Sequence, residues 1–210
     1  IATADNHRRG AGGPDIGGPI WLLAAARAVE SVVHGRSSGL DPAAAMSGGG
    51  AIVFAGGEVR ETLTPLATSS LRAARWVIAD AGPAPATGVA IARANAARLR
   101  MGDVATAALG VDVAAAAYAA RAGLMAGDPG QIAEAMRVAG RALASLDVTD
   151  ARIDALVAFF TANGALAAKQ SGAGLGGAVL ALAPNATIAN TLRDRLVERG
   201  IESWTLEICS

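Results

Sequence analysis

Hydrophobic and polar positions follow each other along the chain in patterns that predict a mixture of helices and strands. The first predicted helix, residues 20–33, is apolar on most sides, which is typical of a largely buried helix. Two hydrophobic runs around Gly56 and Gly57 predict a β-hairpin. The predicted strands span residues 51–54, 58–63, 76–79, 165–170, 178–182 and 202–208.

Alanine-rich segments separated by glycine and proline predict most of the helices. At residues 127–129 a glycine ends one helix and a proline suits the first turn of the next. The predicted helices span residues 20–33, 87–100, 104–126, 129–146, 150–163 and 186–199. Because helices and strands are mixed without regular alternation, the pattern favours an α+β fold over a doubly wound sheet.

Composition narrows the classes of function. The chain has 210 residues, of which 52% are hydrophobic and 17% charged, as expected of one large or two small folded domains. The 18 basic and 18 acidic residues balance, which removes the electrostatic argument for nucleic acid or a membrane surface as partner. No apolar run is expected to span a membrane, because Arg, Asp or Gly interrupts each one. The lone Cys209 fits a reducing, cytoplasmic location.

Two carboxylates stand on either side of the end of the first predicted helix. Glu30 lies in its last turns, and Asp41 follows a predicted helix stop at Gly35. One interpretation is that a tight loop returns Asp41 beside Glu30, where the pair could hold a divalent metal and accept a proton from a substrate hydroxyl. The alternative is an exposed glutamate and an aspartate that caps the turn at Pro42.

The segment 172–177 contains the glycine spacing G-x-G-x-x-G. In a dinucleotide-binding domain that spacing follows a strand and opens a helix. Here a second predicted strand follows directly, so no helix N-terminus faces a phosphate, and a Rossmann site is rejected. The segment is instead predicted to be a glycine-rich hairpin. Its bare backbone either lets a phosphate approach or serves only tight packing.

Four segments together resemble the mevalonate kinases of the GHMP small-molecule kinase superfamily. They are residues 30–41 (ESVVHGRSSGLD), 48–50 (GGG), 76–82 (WVIADAG) with Thr87 behind them, and 169–177 (KQSGAGLGG). Their order and separations match the family from about residue 20 to residue 208. The resemblance implies a two-domain GHMP kinase fold. Residues 1–64 would be the tail of a ribosomal-S5-like N-terminal domain, and residues 65–210 a ferredoxin-like C-terminal domain.

The resemblance also implies an activity, the ATP-dependent phosphorylation of mevalonate to 5-phosphomevalonate in isoprenoid precursor synthesis. Carried over by position, Asp41 is the catalytic base and Glu30 the ligand of Mg²⁺. The implied substrate-binding residues are His34, Gly35, Ser38 and Thr87. The implied nucleotide-binding residues are Ser171, Gly172, Ala173, Gly174, Gly176 and Gly177. The implied cofactors are ATP and Mg²⁺, and the implied partner is a small-molecule substrate.

The chain departs from the family pattern at several positions. The family's early phosphate loop and lysine have no counterpart before residue 20, so the N-terminal part of such a kinase is expected to be missing. Ala81 stands where the family has a threonine near the substrate, and Leu175 interrupts the glycine run. Two alternatives therefore stay open: another GHMP kinase acting on a related hydroxy acid or its phosphate, and a truncated, non-catalytic subunit. Apolar helix faces between residues 104 and 146 suggest a homodimer, and a buried core explains them equally well.

Overall fold

The computed structural model describes residues 20–34, 38–47, 51–55 and 57–208. The chain divides into two compact units, Ile1–Thr64 and Pro65–Ser210. The first unit contains α1 (Ile20–His34), α2 (Leu40–Met46), β1 (Ala51–Ala55) and β2 (Glu58–Leu63). The second contains α3 (Ser69–Ala73), β3 (Arg75–Asp80), α4 (Thr87–Ala126), α5 (Pro129–Ser145), α6 (Ala151–Ala162), β4 (Ala167–Gln170), β5 (Ala178–Ala183), α7 (Ala186–Val197) and β6 (Ser203–Glu207).

In the first unit, the predicted first helix and the predicted hairpin are both present. The expectation that this helix is largely buried is wrong, because Trp21, Val29 and Val32 are 68%, 67% and 87% exposed. Strands β1 and β2 pair antiparallel, and Ala55 pairs with Glu58 across the turn. Between α1 and the hairpin the structure corrects the sequence prediction, because helix α2 stands where a loop was expected. The local cause is visible in the sequence. Asp41 and Pro42 suit the first turn of a helix, and three alanines continue it.

The second unit is built on a four-stranded antiparallel sheet in the order β4-β5-β3-β6. Numbered by their order along this unit, the strands are arranged 2-3-1-4, and helices connect the first to the second and the third to the fourth. This is the ferredoxin-like arrangement that the resemblance implied. The fold is α+β, and the hairpin between β4 and β5 carries the glycine-rich segment.

Each face of this sheet carries a separate hydrophobic core, because successive strand residues point to opposite faces. On one face, Val77 and Ala181 pack with side chains of α6 and α7, including Phe160 and Leu192. The other face packs against α3 and α5. Its buried residues are Leu71, Ala74, Ile132, Ala133, Met136, Ala167 and Leu182. The short helix α3 was not predicted; Thr68 caps it by accepting a hydrogen bond from Leu71 N–H.

The long helix α4 differs most from the sequence prediction. It bends at Gly102, whose φ of 78° and ψ of 170° are not helical, so the two predicted helices meet there. By length and composition it is apolar enough to cross a membrane, although Arg, Asp and Gly were expected to interrupt every such run. The charges are sparse, since Asp112 is the only one in residues 104–120. A long helix of a protein outside the membrane meets the same criteria, so length and composition alone assign no membrane span. The helix packs along α5 but exposes 85% of Leu99 and 86% of Val104.

Candidate functional site

The two predicted catalytic carboxylates lie on helices that pack against each other in the first unit. Glu30 is half-buried near the end of α1, and Asp41 is exposed in the first turn of α2. Arg27, one turn before Glu30, lies directly on the backbone at the start of α2. A Cβ placed on Gly39 would come within 2.6 Å of its Nε atom. Arg27 therefore connects the helix of one acid to the helix of the other.

Asp41 does not act as the cap that the alternative interpretation required. It lies inside α2, whose N-cap is Gly39, with φ of 82° and no side-chain capping bond. Ser38 lies just before, and its hydroxyl accepts a hydrogen bond from Leu40 N–H at 3.2 Å. Among the residues that the structure describes, no hydrogen bond or ion pair engages the Asp41 carboxylate.

The other predicted substrate-binding residues are placed as follows. His34 ends α1, but its side chain and Gly35 lie outside the described residues. Thr87 is the half-buried first residue of α4 in the second unit.

The predicted nucleotide-binding segment, residues 171–177, forms a loop between β4 and β5 that we call the glycine loop. Backbone hydrogen bonds fasten it to the turn after β3. Gly177 N–H donates to Gly82 O at 2.8 Å, and Ala81 N–H donates to Gly177 O at 2.7 Å. The Asp80 carboxylate shapes that turn by accepting from Gly82 N–H at 2.8 Å. Two segments that carried the resemblance thus lie side by side.

The glycines of this loop serve two different purposes. A Cβ on Gly174 would lie 2.0 Å from Val148 O, and one on Gly176 would lie 2.6 Å from Pro83 O. Those two glycines are required for packing. Gly172 and Gly177 have positive φ values too, but a Cβ on either would meet nothing within 4 Å. Their bare backbone faces open space, which leaves room for a ligand.

Gly172 and Ala173 form the exposed tip of the glycine loop. Within the described part of the chain, no protein acceptor is recorded for either backbone N–H group. Consecutive exposed N–H groups without a protein acceptor are the donors that bind phosphate oxygens in glycine-rich loops. The loop therefore combines glycines needed for packing with a tip suited to an anion.

Leu175 departs from the family pattern, and the structure gives the reason that it is tolerated. Its φ of 62° lies in the left-handed region, where a side chain costs about 1–2 kcal/mol. The side chain is buried against Ala90 and Val148, and its N–H donates to Val148 O at 2.9 Å. Burying a leucine contributes about 1.5–3 kcal/mol, which offsets the strain.

Arg152, near the start of α6, clamps the glycine loop to the turn after β3. Its Nη2 atom donates to Leu175 O and to Pro83 O, each at 3.2 Å. The same nitrogen donates to the Asp150 carboxylate at 2.7 Å. A Cβ on Gly82 would lie 2.9 Å from Nη1, so the guanidinium also lies against that turn. One side chain thus holds both segments in register.

Asp150 orients Arg152 and caps α6 at the same time. Its Oδ1 atom accepts hydrogen bonds from the N–H groups of Arg152 and Ile153, each at 3.0 Å. Partial burial raises the pKa of the Asp150 carboxyl. The hydrogen bonds from Ile153 N–H and from Arg152, with the charge of Arg152, outweigh that effect and leave the pKa below its ordinary value. The carboxylate therefore stays ionised and keeps its arginine in place.

A cavity of about 570 Å³ opens beside the turn after β3. Ala81, which replaces the family's threonine, lines it together with Arg152 and Arg199. The Arg199 guanidinium lies 4.6 Å above the ring of Phe159, so an aromatic face holds it in position.

Sequence reasoning did not identify Arg27 or Arg152. The chain contains a single lysine, so nearly all of its 18 basic residues are arginines, scattered without a motif. The aspartate two residues before Arg152 signals a helix N-cap but says nothing of distant partners. Only the tertiary contacts distinguish these two arginines from the others.

Comparison with known protein families gives a match within the second unit. Residues 119–202 match the family described as GHMP kinases C terminal. No curated protein matches the sequence. The match covers the second unit from the last turns of α4 to the residue before β6.

Solved structures extend the likeness to most of the chain. L. major mevalonate kinase in complex with R-mevalonate superposes with a TM-score of 0.73 at 22% identity, over 88% of this chain and 57% of that one. Methanococcus jannaschii mevalonate kinase gives 0.67 at 16% identity, over 87% and 54%. Streptococcus pneumoniae phosphomevalonate kinase gives 0.51 at 19% identity, over 64% and 40%. The chain has a mevalonate-kinase-like fold and spans little more than half the length of those mevalonate kinases.

Proposed function

We propose that the full protein is a cytoplasmic kinase that transfers the γ-phosphoryl group of ATP to the hydroxyl of mevalonate. The observation that carries the proposal is the glycine loop of the GHMP kinase C-terminal domain, whose tip pairs exposed N–H groups with open space at Gly172. The fold shared with mevalonate kinases supports the choice of substrate. The proposal assigns the chemistry to Glu30 and Asp41 and the nucleotide to the glycine loop.

The chemistry assigns a separate task to each acid. The substrate oxygen attacks the γ-phosphorus, the bond from that phosphorus to the ADP oxygen breaks, and Asp41 accepts the hydroxyl proton. Its exposed carboxylate, which makes no hydrogen bond or ion pair with the other residues that the structure describes, fits that task. Glu30 would bind Mg²⁺, which neutralises phosphate charge when ATP is present. Mg²⁺ commonly takes only one or two protein carboxylates and completes its shell with phosphates and water. A single glutamate therefore suffices, although no group of three or more acidic, His or Cys side chains clusters among the described residues.

The glycine loop fits the phosphates of ATP. Gly172 and Gly177 leave the approach unobstructed, and the exposed N–H groups at the tip supply donors. Arg152 and Asp150 hold the loop from behind, which keeps those donors in position before the nucleotide binds.

The test is a kinase assay of the full-length protein with Asp41→Asn. Turnover is expected to fall by roughly 10²–10⁴-fold, because the amide cannot accept the proton. Circular dichroism should be unchanged, since the side chain is exposed. Asp112→Asn, the same change at an exposed position on α4, is the matched control and should retain turnover. Turnover close to wild type in Asp41→Asn would exclude the base assignment.

A second candidate is another GHMP kinase that acts on a related hydroxy acid or its phosphate. Ala81 favours it, because the cavity that this residue lines lacks the family's threonine hydroxyl and contains two arginines. Comparing kcat/KM for mevalonate, phosphomevalonate and shorter hydroxy acids distinguishes the candidates. If Ala81→Thr raises kcat/KM for mevalonate, the present site is tuned to a different acceptor.

Two further expectations can be tested in solution: that the protein forms a homodimer, and that it is a non-catalytic subunit. We expect two copies to associate through the apolar surface of α4. Light scattering at several protein concentrations measures the mass of the assembly. If the full-length protein has no kinase activity with any acceptor, the non-catalytic interpretation replaces the kinase.

A further inference from the structure

A second groove lies along the free edge of β4, outside the elements assigned to phosphoryl transfer. Its cavity measures about 300 Å³. One wall is α5 and the other is α6, and the floor is the edge strand itself. Helix α5 approaches the strand closely, since a Cβ on Gly140 would lie 3.5 Å from the Cβ of Lys169. The volume is at the small end of the range for ligand pockets.

Lys169, the only lysine in the 210 residues, lines this groove. It is half-buried, and its Nζ atom donates to Gln170 O at 2.6 Å. Among the described residues no carboxylate pairs with it. Burial without a negative partner disfavours the ammonium form and lowers the pKa of Lys169. A bound anion would supply the missing charge.

Two arginines add to the positive charge of the groove. Arg137 and Arg141 both line it, and both pair with the single carboxylate of Glu134, at 3.0 and 3.7 Å. Asp154 is the only acidic residue among those that line the cavity. Lys169, Arg137 and Arg141 therefore give the groove three positive charges. The negative charges are that of Asp154 in the lining and that of Glu134, which the two arginines share.

The rest of the groove offers apolar surface. Ile153, Val157 and Ala144 line it beside the charged residues. Gln170 also lines it, but its side-chain amide, which has no hydrogen-bond partner, is buried against Gly174 of the glycine loop, on the opposite face of the strand from Lys169.

We propose that this groove binds a small organic anion, with its carboxylate or phosphate against Lys169 and Arg141 and a short hydrocarbon chain against Ile153 and Val157. The charge and the apolar lining favour an amphiphilic ion over inorganic phosphate or a neutral lipid. The site is independent of the phosphoryl-transfer proposal. Its floor runs directly into the glycine loop, so a bound ligand would contact the strand that positions that loop.

The test uses full-length protein at constant ionic strength, with hexanoate, hexyl phosphate and neutral 1-hexanol as probes. Calorimetry measures binding, and mass spectrometry measures acetylation of Lys169 by acetic anhydride. Hexanoate or hexyl phosphate should bind and protect Lys169, and 1-hexanol should do neither. The preferred ion identifies the head group as carboxylate or phosphate.

Two variants locate the site. Lys169→Met should weaken binding about tenfold or more, because a hydrogen bond to a charged group is lost. Ala144→Leu fills the groove from an exposed helix position without changing its charge, and should also abolish binding. Arg98→Met, at an exposed position on α4, should bind the probe like the wild type. If 1-hexanol protects Lys169 as well as the ions do, or if Ala144→Leu binds them with wild-type affinity, the proposal is overturned. Ala144→Leu keeps the test decisive even if Lys169→Met does not fold.

Discussion

The guanidinium of Arg152 donates a hydrogen bond to the main-chain carbonyl of Leu175, 23 residues further along the chain. That contact brings α6 against the glycine loop, and a second bond from the same nitrogen to Pro83 O adds the turn after β3. Arg152 can make both bonds and still pair with a carboxylate, because its Nε atom also donates to Asp150 Oδ2, at 3.1 Å.

Replacing Arg152 with methionine should therefore loosen the glycine loop and leave the hydrophobic packing of α6 intact. In steady-state kinetics of the full-length enzyme we expect KM for ATP to rise about tenfold, corresponding to roughly 1.4 kcal/mol of lost positioning. Arg193→Met, the same change in an arginine that pairs with its neighbour Asp194, is the control. An unchanged KM for ATP would show that the clamp does not matter for the nucleotide.

The two kinds of glycine in the loop can be separated by a matched pair of substitutions. Gly174→Ala would drive a Cβ against Val148 O, so we expect a clear loss of thermal stability. Gly172→Ala has similar backbone strain but no such collision, so stability should fall by only about 1 kcal/mol. Nucleotide affinity, measured by calorimetry, should fall in Gly172→Ala because its methyl group occupies the approach. If Gly172→Ala binds ATP normally, the loop serves packing alone.

Glu30→Gln tests the metal assignment. The amide is a weaker ligand for a hard cation than a carboxylate, so the Mg²⁺ concentration for half-maximal activity should rise about tenfold or more. A titration of activity against Mg²⁺ at saturating ATP provides the measurement. Glu58→Gln, at an exposed position on β2, should leave the titration unchanged. Identical titrations for wild type and Glu30→Gln would exclude the assignment.

Asp150→Ala should cost about 0.5–2 kcal/mol in the free energy of unfolding, the range for a lost N-cap. The pH dependence has a definite sign. Because the folded-state pKa of Asp150 is below the ordinary value of 3.8, its contribution is fully present above that value. It is lost as the pH falls through the lowered pKa. The free energy of unfolding, measured by chemical denaturation at several pH values, should therefore be higher for the wild type than for Asp150→Ala at neutral pH. In strong acid the two values should be nearly equal.

Much of the fold was predictable because its signals are local. An apolar, alanine-rich run predicted α1, and glycine and proline marked the helix boundaries around residues 127–129. The β4–β5 hairpin was also predicted, and with it the rejection of a Rossmann site. The short helices α2 and α3 were missed, because so few residues give no usable period and their stability depends on what they pack against.

The sequence by itself determined which residues the proposed kinase chemistry would use: acids beside a helix end, and a glycine run between two strands. Tertiary structure decided what each residue does. Gly172 and Gly174 look alike in the sequence. Only the position of Val148 O makes Gly174 a packing glycine, whereas a Cβ on Gly172 would meet nothing within 4 Å. Arg152 looks like any other arginine until α6 folds against the loop. Local patterns depend on neighbours in the chain, whereas packing and electrostatics depend on atoms that folding brings from distant segments.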